Sequence, residues 1–160
     1  MFREINGLPV HVLVIHAAVV FVPLLAVLAA AYGLLPRWRP RFGWAVAVLA
    51  VVTPIVTWVA TQSGETLEKA LREKGYGPEL LQKIREHSEY GDLLLWFTVG
   101  LAVAAILLLL VTRDDERVSR LPSWVSLLLT VVVLVLGVTS LVYVYLTGDT
   151  GAEAVWSGVL

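Results

Sequence analysis

Three histidines carry most of the chemical potential of this sequence. His11 and His16 stand in LPVHVLVIHAAVVFVPLL, Leu8 to Leu25, and His87 in REHSEYGD. Imidazole is both a metal ligand and a group that titrates near neutral pH. Inside an apolar segment such a group is costly and tends to be functional. The chain has no cysteine, and its one methionine is Met1. Thiolate zinc sites, iron–sulfur clusters, c-type haem and Met-ligated copper or haem are therefore excluded. Metal chemistry here must rest on histidines and carboxylates.

His11 and His16 are five residues apart, roughly 140° round an α-helix, so they do not share a face. A zinc helix motif would need two histidines four apart with a glutamate between them, and none is present. His16 lies about 7.5 Å deeper than His11 at 1.5 Å per residue. The expected axial pair for a b-type haem is His16 with His87, with His11 as a supporting or alternative ligand. Gly91, one turn from His87, would leave room for a flat macrocycle. Two further readings stand beside this one. The three histidines with Glu89 or Asp92 could form a divalent-metal site for zinc or copper, or the histidines could only hydrogen-bond within a cofactor-free structural bundle. No nucleophile–base pair, P-loop or dinucleotide fingerprint occurs, so nothing supports an enzyme of those classes.

These residues must be positioned by membrane helices. Hydrophobic residues make up 58% of the 160, and charged residues 16%. That is too much apolar surface for a soluble domain of this size to hide. Twelve Lys and Arg nearly cancel 13 Asp and Glu, so no global field points to nucleic acid. Four segments, about 12–35, 42–60, 93–112 and 124–146, reach the ~20 apolar residues that cross a bilayer, and each must be helical to satisfy its backbone. The fold class expected is all-α, a polytopic membrane four-helix bundle in a single domain. An outer loop, 61–92, carries a short amphipathic helical segment, with Ser63 as a helix cap. Pro23 and Pro54 should kink helices one and two. Gly148 and Gly151 should permit tight turns after helix four. The first apolar run exceeds the ~7–15 residues of a signal-peptide core and is expected to be retained as an anchor.

Arginine sets the expected orientation. Arg37, Arg39 and Arg41 lie between segments one and two, and Arg113, Arg117 and Arg120 between three and four. Positive residues favour the cytoplasm, which puts both termini, the 61–92 segment and all three histidines outside a cell (inner) membrane. The expected partners are the lipid bilayer and a redox partner on the outer side. The oligomeric state is not legible.

The run INGLPVHVLVIHAAVVFVPLL, Ile5 to Leu25, resembles the opening of the bacterial membrane proteins grouped as domain of unknown function 2231, with His11 and His16 at the family's two histidine positions. REHSEYGD is similar to the family's His-x-x-x-Gly element, matched by His87 and Gly91, and TGDTGAEAVW to its glycine-rich C-terminal signature. Val12 departs from the family's common proline, and Trp156, Ser157 and Gly158 stand where many relatives end on a further histidine. The resemblance implies four membrane helices and no assigned activity; haem is an inference from the residues.

Overall fold

The computed structural model describes residues 4–5, 8–112 and 122–156. A two-residue antiparallel pair, β1 (Glu4–Ile5) with β2 (Leu8–Pro9), leads into α1 (Val10–Leu34). A single 3₁₀ turn, Pro36–Trp38, connects α1 to α2 (Arg39–Glu73); α3 (Pro78–Val111) and α4 (Ser123–Trp156) complete the chain. All four helices are long and apolar enough to cross a membrane.

Each helix packs against its sequence neighbours, and α4 closes the ring against α1, so α1 and α3 face each other across a diagonal. The inward stripe of α1 runs through Ala18, Val22, Leu25, Ala29 and Tyr32, at the three-or-four spacing of one helix face. Val22, Leu25, Leu101, Val46, Leu108 and Val133 are fully buried, while Val20, Val27, Val48, Val135 and Val138 point outward. In a bilayer such outward residues lose nothing, so small residues and close packing hold the helices together. Gly33 meets Thr130 of α4 so closely that an added Cβ would lie 2.7 Å from its Cγ2. Gly100 rests on Leu136.

The arginine end is tied by side chains. Arg39 Nε donates to the Tyr32 carbonyl over 3.2 Å, and the Tyr32 hydroxyl bonds Thr112 Oγ1 at 2.7 Å. Arg41 lies over the Trp38 ring, which stacks on Phe42. The second arginine link, with Arg113, Arg117 and Arg120, lies outside the described residues.

Two expectations are corrected here. Residues 61–73 do not leave the helix as a loop: α2 runs on without a break, and Ser63 is a buried interior residue, not a cap. A chain reversal follows at 74–77. There Gly75 takes φ of +77°, its N–H reaches Arg72 O, and Tyr76 N–H reaches Leu71 O. That pair of hydrogen bonds is the Schellman stop, which favours glycine. Pro78 then opens α3 at a position that needs no N–H. Likewise Gly148 and Gly151 form no turn, because α4 continues through both to Trp156. The helices also continue through Pro23 and Pro54.

Candidate functional site

The extra turns of α2 and α4 matter because they carry partners of the histidines, Ser63 on α2 and Thr147 and Thr150 on α4. At this end of the bundle the structure brings together His11 and His87, from diagonal helices. Their ring centroids are 6.0 Å apart and their planes stand at 86°. Each ring is anchored the same way. His11 Nδ1 donates to the Ala60 carbonyl at 3.0 Å, with Ser63 Oγ at 3.3 Å. His87 Nδ1 donates to the Thr147 carbonyl at 2.9 Å, with Thr150 Oγ1 at 3.4 Å.

A carbonyl can only accept, so Nδ1 must hold the proton in both rings. In the neutral ring, Nε2 is then the nitrogen that keeps its lone pair. Among the described residues no group hydrogen-bonds either Nε2. Fixing Nδ1 on a carbonyl while Nε2 stays available is how metal-ligating histidines are commonly oriented.

Both rings line a cavity of about 590 Å³, counted with its open mouth. It descends between the helices in layers: Ile15, Ala60, Gly91 and Thr147, then Ala18, Thr57, Leu94 and Val144. Below these lie Val22, Thr53, Thr98 and Ser140, all fully buried. The hydroxyls of Thr53, Thr98, Ser140 and Thr147 find no hydrogen-bond partner. An added Cβ on Gly91 would meet nothing within 4 Å, so this stretch of α3 borders open space.

His16 is corrected. It does not face His87; its ring is exposed on the outward side of α1 and Nδ1 bonds Val12 O at 2.7 Å. The 140° between the two α1 histidines keeps them off one face, and packing of the α1 stripe that runs through Ala18 and Val22 turns His11 inward. Nor is the three-histidine metal set assembled. Glu89 is exposed, and Asp92 lines a separate groove between α2 and α3 with Glu65, Trp58 and Trp96. Among the described residues no three His, Cys, Asp or Glu side chains converge on one point.

Sequence reasoning missed Gly64, Gly151, Thr150 and the carbonyls of Ala60 and Thr147. Their signal was the pair ATQSG and TGDTG, each with a hydroxyl residue just before a glycine. Without the helix extensions they read as loop residues.

Neither among curated proteins nor among solved structures does the chain find a match. The sequence profile of the predicted membrane proteins DUF2231 does match, over residues 7–160. Covering the four helices and all three histidines, that match makes the chain a member of the DUF2231 family of membrane proteins.

Proposed function

We propose that this protein holds a b-type haem at the histidine end of the bundle, with His11 and His87 as axial ligands, and serves electron transfer or redox sensing. The observation that carries the reading is the pair of imidazoles brought together from diagonal helices, 6.0 Å between centroids, each fixed through Nδ1 to a backbone carbonyl.

The donor set fits this group better than a bare ion. Structural zinc takes four protein ligands and catalytic zinc three, whereas only two imidazoles meet here. A haem iron would bring nitrogen ligands of its own, so the chain would have to supply only His11 and His87. Gly91, where an added Cβ would meet nothing within 4 Å, leaves space beside the two rings. When bound, the haem supplies one-electron chemistry at its iron. The chain's part is to present two Nε2 lone pairs, hold their rings through Ala60 and Thr147, and surround the group with Ile15, Ala18 and Leu94.

The orientation belongs to the same proposal. Arg37, Arg39 and Arg41 mark the opposite end of α1 and α2 as cytoplasmic. The histidine site then opens on the outer side, where a redox partner would approach.

The test is an absorption spectrum of the detergent-solubilised protein from haem-supplied cells, air-oxidised and then dithionite-reduced. A Soret band that sharpens on reduction, with resolved α and β bands, is expected. A spectrum without haem bands overturns the reading.

A further inference from the structure

We propose that the histidine site consists of two copies of one half-site, one from each helical hairpin, and that Gly64 and Gly151 are the positioning residues that seat its two imidazoles. The ligand consequence rests on the haem reading above; the positioning does not.

The two hairpins, α1–α2 and α3–α4, repeat the same construction. In the first, His11 lies on α2 over Gly64: an added Cβ there would sit 3.1 Å from the ring's Cε1 and 3.3 Å from Nδ1. In the second, His87 lies on α4 over Gly151, and the corresponding distances are 2.9 and 3.1 Å. The carbonyl that accepts from Nδ1 comes four residues before the glycine in both cases, Ala60 and Thr147. The hydroxyl facing the same nitrogen comes one residue before it in both cases, Ser63 and Thr150.

That agreement has a geometric cause. Residues i and i+4 of a helix share a face, so a ring whose Cε1–Nδ1 edge rests on the glycine reaches the carbonyl one turn back. A side chain at i would crowd the ring and displace it, more at Gly151 than at Gly64. The halves keep one register further down as well. Ala18 and Leu94 lie seven residues inward from their histidines, and Thr57 and Val144 seven residues back from their glycines, all four lining the cavity. The hairpins run in the same sense, so the halves are parallel repeats about an axis along the bundle, as in some transporters. Helix packing alone gives no reason for this. Gly33 and Gly137 approach apolar or methyl-bearing neighbours, whereas Gly64 and Gly151 each accommodate a polar ring whose remaining nitrogen has no partner.

Two equal half-sites suit a ligand with two equivalent faces. A planar metal macrocycle bound by one nitrogen on each side is such a ligand, and the two histidines should contribute alike.

The experiment uses the full chain in detergent with ¹⁵N-labelled histidine. In the cofactor-free protein both half-buried rings should report the Nδ1–H form. Gly64→Ala should move the His11 signals and Gly151→Ala those of His87, each leaving the other ring in place. Gly148→Ala, whose Cβ meets open space, should move neither. Unmoved ring signals in Gly64→Ala and Gly151→Ala proteins that keep wild-type helix content would overturn the positioning. If Gly151→Ala does not reach the membrane, the looser contact at Gly64 decides the matter by the same readout. On haem loading, each of the two substitutions should weaken binding by about tenfold or more, the usual cost of disturbing the groups that orient a ligand. Strongly unequal losses would overturn the equivalence of the halves. A wild-type protein that takes up no haem yet passes the nitrogen test would remove the haem reading and keep the positioning.

Discussion

At the scale of single residues, the chemistry comes down to which nitrogen of each imidazole is free. His11 and His87 both spend Nδ1–H on a carbonyl, which leaves two Nε2 lone pairs in one cavity. His16 uses Nδ1 on its own helix, one turn back, and stays exposed. The three substitutions should therefore separate cleanly. His11→Ala and His87→Ala should each abolish the six-coordinate haem spectrum while the protein remains in the membrane, and His16→Ala should retain it. Loss of the spectrum in His16→Ala, with His11→Ala unaffected, would return the ligand role to His16. The bands to follow are the α and β bands of the dithionite-reduced protein.

At the scale of elements, the helices are held by close approach rather than by hiding apolar surface from water. The tight spot is Gly33 against Thr130, whose side chain is already committed to Ser126 O. Gly33→Ala forces that contact and should cost about 1–3 kcal/mol, the range for overpacking. Gly148→Ala faces open space on the same α4 and should instead gain up to about 1 kcal/mol from helix propensity. Thermal unfolding in detergent reads both, and opposite signs are the expected result. A second test concerns the layer below the cavity. Thr98 is fully buried with its hydroxyl unpartnered, and such a group costs about 1–3 kcal/mol. Thr98→Val keeps the shape, removes the hydroxyl and should raise the melting temperature. A fall would mean that the hydroxyl has a partner, such as an ordered water, in the membrane.

For the whole molecule, four spans place the histidine end and the arginine end on opposite sides of a membrane. The absence of cysteine makes labelling direct. Lys74→Cys lies at the exposed reversal between α2 and α3, and Arg37→Cys at the exposed link between α1 and α2. A membrane-impermeant maleimide added to intact cells should label the Lys74→Cys protein and spare the Arg37→Cys protein until the membrane is opened. The reverse pattern would turn the bundle over and put the histidine cavity on the cytoplasmic side.

What the sequence determined by itself was the number of helices, their membrane character and the family, because length and hydropathy are local properties and each span had to satisfy its own backbone. The placing of Gly91 one turn from His87 was also legible, since a polar turn feeding an apolar one leaves a visible three-or-four spacing. α1 offered no such contrast. It is apolar all round, so periodicity could not say whether His11 or His16 faced inward, and only packing against α2 and α4 decided for His11. The partners of the imidazoles were hidden for a different reason. ATQSG and TGDTG carry glycine and hydroxyl residues that locally favour turns and caps, and tertiary contact overrode that preference by extending α2 and α4 past the span. The glycines became sockets only because a histidine from the neighbouring helix fills the space that a side chain would take, and no pattern within a single helix records its neighbour.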